Sequence, residues 1–93
     1  MAANDKKIIE TEFIPRREDI LNSIAKGIQR IGYVRVDVFR RECATPEGRA
    51  IGVHDGKKLN ALKEFLKAEG FKVSMFWWGM SSEGEPDGMT ISL

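Results

Sequence analysis

The sequence predicts an α+β domain in which a strand, a helix and a strand are followed by a second strand, helix and strand. Three observations carry this reading. Two segments repeat apolar residues at helical spacing, and the segments around them alternate with a period of two. The two halves also echo each other, since each helix ends in a glycine followed by an aromatic residue, Gly32-Tyr33 and Gly70-Phe71.

The elements follow in order. Residues 1–7 are polar and read as a flexible tail, leaving 8–93 as a single domain. Ile9, Thr11 and Phe13 alternate with Glu10 and Glu12, the pattern of a first strand. Pro15 suits a first helical turn, and Glu18 and Asp19 suit the positive end of the helix dipole. Ile20, Leu21, Ile24, Ile28 and Ile31 supply the apolar stripe, and Gly32 suits the position just past the helix end. Val34, Val36 and Val38 alternate with Arg35, Asp37 and Phe39 as a half-buried strand. Thr45-Pro46-Glu47-Gly48 reads as a turn, with Arg49 to His54 returning from it as a short strand.

The second helix begins near Asp55 to Lys58, where the aspartate is expected to cap free N–H groups, not to share a phosphate site. Leu59, Leu62, Phe65 and Leu66 form its stripe and Gly70 its stop. Phe71 to Trp78 follows as an aromatic-rich strand, then a polar loop from Ser81 to Gly88, then a terminal strand in which Met89, Ile91 and Leu93 alternate with Thr90 and Ser92.

In element order this resembles the ferredoxin-like β-α-β-β-α-β sandwich: an antiparallel sheet with both helices on one face and a fifth, C-terminal strand hairpinned onto the fourth. The opposite face is then left open, carrying Glu10, Glu12, Arg35, Asp37, Phe39, Gly52, His54, Lys72, Ser74, Phe76 and Trp78.

Composition narrows the function classes. The chain has 93 residues, 42% hydrophobic and 31% charged, too apolar for a disordered protein. A domain of this size buries only about 60–65% of its unfolded surface, so its stability is modest. Fifteen basic against 14 acidic residues, a net charge of +1, argue against a protein that coats nucleic acid by displacing counterions. Cys43 is the single cysteine, which leaves no internal disulfide and no cysteine zinc site. With neither a signal-peptide pattern nor an apolar run of spanning length, a cytoplasmic protein without a membrane partner is expected.

The most informative local feature is Phe76-Trp77-Trp78. Strand neighbours point to opposite faces, so Trp77 is expected in the core, with Phe76 and Trp78 on the open face beside Phe39. Large exposed aromatics mark interfaces unless the 81–88 loop or the last strand covers them. The preferred expectation is therefore a non-enzymatic protein-binding module, acting through Phe39, Phe76 and Trp78 on another protein or on a second copy of itself. A regulator, inhibitor or adaptor fits, including the small accessory proteins carried by phages and mobile elements.

An alternative is nucleic-acid binding through Arg16, Arg17, Arg40 and Arg41, disfavoured because these pairs fall in loops and strand ends flanked by Glu18, Asp19 and Glu42; on the sheet face itself, Glu10 and Glu12 would repel a phosphate backbone. A second alternative is a small metal- or metabolite-dependent enzyme using Glu10, Glu12, Asp37 and His54. No paired-histidine or helix ligand motif supports it, and salt bridges to Arg35 and Lys72 account for the acidic residues more simply. Cys43 with His54 lacks an orienting group for a nucleophile. No catalytic residue, metal or cofactor is assigned.

Overall fold

The computed structural model describes residues 1–81 and 84–93. It is an α+β fold whose elements run α1 (Ala3–Ile8), a π-helical stretch (Ile9–Phe13), a 3-10 turn (Ile14–Arg16), α2 (Arg17–Ile31), β1 (Val34–Asp37), a 3-10 turn (Arg41–Cys43), α3 (Pro46–Ile51), α4 (Gly56–Ala68), β2 (Lys72–Phe76) and β3 (Gly88–Ser92). Among the described residues, no helix is long and apolar enough to cross a membrane.

The first correction lies at the N-terminus. Ile9–Phe13 is helical, not a strand, and the segment read as a tail is already helical from Ala3. Ile9 and Phe13 are four residues apart, a spacing that serves a strand face and a helix face equally. Ile8 breaks the alternation; it is buried with Phe13, and the widened π turn brings these two onto one side. The irregularity has a cause in Pro15, which lacks an N–H and whose ring would collide with the carbonyl four residues earlier. A long N-terminal helix results, stopped at Gly32 in the left-handed conformation (φ 87°) as the sequence predicts.

The second correction concerns Arg49–His54. Thr45 is not a turn residue but the cap of α3: its hydroxyl accepts the Gly48 N–H at 3.0 Å, with Pro46 in the first turn. Ile51 and Val53 are buried, so the alternation correctly marks what faces inward, but the backbone is helix end, then Gly52 at φ 75°, then extended chain. The expected β-α-β-β-α-β order is therefore not formed.

What remains is a three-stranded antiparallel sheet in the order β1-β3-β2. The terminal strand does pair with β2 as expected, but it enters between β1 and β2 instead of closing an edge. Val34, Ile91 and Val73 stand in one row, and Val36, Met89 and Met75 in the next. These side chains face the helices, where Phe13, Ile20, Ile24, Ile51, Leu59, Leu62 and Leu66 complete the core. Arg35, Asp37, Lys72, Ser74, Phe76, Gly88, Thr90 and Ser92 are the alternate residues, on the open face.

The outer edge of β1 is closed. The Thr45 N–H donates to the Arg35 carbonyl at 3.1 Å, and the Arg35 N–H donates to the Thr45 hydroxyl at 3.1 Å. A β-carbon on Gly48 would lie 1.9 Å from that same carbonyl, so only glycine lets α3 seat against the strand.

Candidate functional site

β1 ends at Asp37, and the aspartate itself turns the chain. Its buried carboxylate accepts the N–H groups of Phe39 (3.0 Å) and Arg40 (2.7 Å), the self-capping turn typical of aspartate. Its other oxygen lies 3.4 Å from the Arg35 guanidinium, an ion pair along β1 where one across the strands is expected.

One strand over, Asp87 does the same for the loop that leaves β2. This carboxylate is fully buried and accepts the N–H groups of Trp78, Met80 (3.4 Å) and Ser81 (2.7 Å). Burial by itself would raise its pKa. The Trp78 amide, with the contacts from Ser81 and Met80, outweighs that and holds it below the usual carboxylate range. The Asp87 backbone joins both loops, donating to the Phe76 carbonyl (2.9 Å) and accepting from the Val38 N–H (3.0 Å).

The two aspartates thereby bring Arg40 and Trp78 together. The Arg40 guanidinium lies 4.8 Å from the Trp78 ring centre, and Arg35 lies 5.2 Å from Trp78 and 4.5 Å from Phe76. The Phe76 and Trp78 rings are 4.8 Å apart and tilted by 31°. Phe76 lies flat across β3 because residue 88 is glycine; a β-carbon there would sit 2.2 Å from the ring and 2.4 Å from the Val36 carbonyl. Two guanidinium groups and two rings thus form one stack on the open face.

Parity places Phe76 and Trp78 correctly and fails for Trp77. β2 ends at Phe76, so Trp77 lies in the loop, 57% exposed instead of in the core. Trp78 is 41% exposed and Met80 52%. Phe39, 48% exposed, does not share the Phe76–Trp78 ring contact. It lines a cavity of about 280 Å³ with Val38, His54, Asp55, Gly56, Ser81 and Glu85. Ser82 and Glu83, in the polar loop expected over 81–88, lie outside the described residues.

The other predicted residues have separate placements. Arg16 donates to the Ile51 carbonyl, and Arg17 makes a two-pronged pair with Glu69 at 2.7 and 2.8 Å. Arg41 opens an exposed 3-10 turn that ends at the free, exposed Cys43. Glu12 pairs with Lys58 at 2.7 Å and Glu10 is exposed on the π-helical stretch, so neither belongs to the sheet face. Asp55 caps α4 by accepting the Lys57 N–H at 2.9 Å, as expected. Among the described residues, no three His, Cys, Asp or Glu side chains converge as a metal site requires.

Sequence reasoning does not single out Asp87 or the clasping role of Arg35. The aspartate before Gly88 is a turn signal, but nothing local says that its carboxylate reaches back to residue 78. Comparison with protein-family models, with curated proteins and with solved structures finds no match to this chain.

Proposed function

We propose that this chain is a non-enzymatic docking module that binds a protein through the aromatic end of its sheet. The observation that carries this reading is the state of Trp78: gripped by Arg35, Arg40 and Phe76, on a loop tied to Asp87, and still two-fifths exposed. Trp, Phe, Met and Arg are the residues enriched at the centres of protein interfaces, and Phe39, Trp77, Trp78, Met80 and Arg40 gather them in two adjoining loops. Anchors already held in place lose little side-chain freedom on binding, which favours affinity.

Charge defines the partner's chemistry. On the sheet face the carboxylate is Asp37, buried against Arg35 and two amides, so Arg40 and Lys72 are left to face a partner there, while Asp55 and Glu85 lie on the separate cavity beside Phe39. A surface with an apolar recess bordered by carboxylates is the complement. The test is a photo-reactive phenylalanine analogue at position 77, with the same analogue at position 18 on the N-terminal helix as control. A discrete adduct from position 77 alone is expected, and Trp78→Ala should weaken the isolated complex at least tenfold with the far-UV circular dichroism intact. Equal adducts from both positions, or unchanged affinity, would remove the reading.

A second reading is single-stranded nucleic acid on the same face. It gains support from the placement of Glu10 and Glu12 away from that surface, since those carboxylates are the argument against it. It is the weaker of the two, because guanidinium groups already occupy the π-surface on which bases would stack. Salt-sensitive binding of a short oligonucleotide, lost in Arg40→Ala, would favour it over a protein partner.

A further inference from the structure

The two outer strands differ in a way the aromatic end does not explain. β1 has its outer edge bonded to Thr45. β2 pairs with β3 on one side, and among the described residues its other side makes no backbone hydrogen bond to any segment. The direction of its free groups follows from the period of two. Phe76 offers its carbonyl toward β3, to Asp87, so Lys72 and Ser74 also turn their N–H and C=O that way. Val73 and Met75 therefore point theirs outward. Their side chains are only half-buried, whereas Val34, Val36, Met89 and Ile91, which share the same inner face, are buried completely.

We propose that a second copy of this chain pairs along this edge, antiparallel and centred on Ser74, to give a six-stranded sheet. The strand is complementary to itself in that register. All five residues of β2 find partners: Val73 bonds opposite Met75 of the second copy, apolar against apolar on the inner face. Ser74 meets Ser74 at the two-fold axis, small and neutral. Lys72 comes opposite the second copy's Phe76 on the open face, two positions away from the second copy's Ser74, so the two lysines do not face each other. Registers one pair to either side of this lose part of the strand.

The dimer would carry both aromatic clusters on one face, their Phe76 residues separated by four strand positions, about 13 Å along the sheet. That would make the docking surface bivalent. The pairing does not rest on the function proposed above.

Light scattering on the intact chain should give twice the 10.5 kDa monomer mass, falling toward the monomer on dilution. Val73→Pro removes an outward N–H without touching the ladder to β3, and should shift the mass to the monomer while preserving the circular dichroism. Should that variant fail to fold, the register has its own test. Position 74 is a non-hydrogen-bonded pair with itself, about 4.5 Å between Cα atoms, within disulfide range. With Cys43→Ser removing the native thiol, Ser74→Cys should form a covalent dimer on mild oxidation, and Asn22→Cys should not. A constant monomer mass with no 74–74 disulfide would overturn the proposal. A dimer that survives in folded Val73→Pro but dissociates in Trp78→Ala would also overturn it, placing the contact at the aromatic end.

Discussion

Gly88 and Met89 are neighbours on β3, and they face two surfaces held by different forces. Met89 looks inward, fully buried among helix side chains, where removal of apolar area from water is the stabilising term. Gly88 looks outward beneath Phe76, at an end of the sheet organised by two carboxylates, five N–H groups and a cation–π stack. The inner face is stabilised by burial and has no titrating group in its cluster. The outer end is ordered by charge, and this permits it to stay rigid while its aromatic residues stay wet. A surface that is both fixed and exposed suits docking better than one that must first be ordered.

That contrast can be broken in a graded series. The largest effect belongs to the inner face. Met89→Ala should cost about 3 kcal/mol in denaturant unfolding, nearly independent of pH, because the void left among packed helices closes only in part. A drop in melting temperature of roughly 12–24 °C is expected for a domain of this size.

Gly88→Ala should cost about 1–3 kcal/mol, since the new methyl must displace Phe76 and meets the Val36 carbonyl. Its distinguishing sign is local: tryptophan fluorescence should shift to the red as the ring stack opens, which Met89→Ala should not cause.

Asp87→Asn should have a smaller effect with a pH signature. The folded carboxyl lies below its unfolded value of about 3.9, so its stabilisation is complete above that pH and disappears as pH falls through the folded value. Wild type should therefore lose stability in acid below about pH 4, and the variant should lose less over that interval while starting lower at neutral pH. Glu47 and Glu69 are also held low, by their hydrogen bonds to Arg30 and Arg17. Those pairs are on the surface and weaken with salt, so repeating the acid titration at high salt isolates the Asp87 share. Smallest of all, a double-mutant cycle with Arg40→Ala and Trp78→Ala should give a coupling of about 0.5–1 kcal/mol, and close to zero in the Asp87→Asn background.

The inner face is largely legible in the amino-acid sequence. Helix stripes apart from Ile31, which is exposed, the stops at Gly32 and Gly70, the Asp55 cap and the inward parity of Val34, Val36, Val73, Met75, Met89 and Ile91 all follow from spacing that packing preserves. Two elements depart from expectation where short patterns carry two meanings. Ile9-Thr11-Phe13 fits a strand or a helix turn, and Thr45-Pro46-Glu47-Gly48 is equally turn chemistry and a helix start. Without those two strands the open face changes, losing Glu10, Glu12, Gly52 and His54. Phe76 and Trp78 are legible from parity, whereas Trp77 is not, because a strand's period says nothing past its last residue. The clasp by Arg35, Arg40 and Asp87 has no local signal, because it joins residues from three loops and strands whose proximity is set by the sheet order alone.

The central claim is that Trp78 is exposed and yet held. Backbone ¹⁵N relaxation of the free protein tests it directly. Order parameters near 0.85 are expected at Trp78, Met80 and Ser81, whose amides Asp87 accepts, matching those of β2 and β3. Values below about 0.6 at these amides would contradict the account, since the aromatic residues would then belong to a loose loop, not to a preformed docking surface.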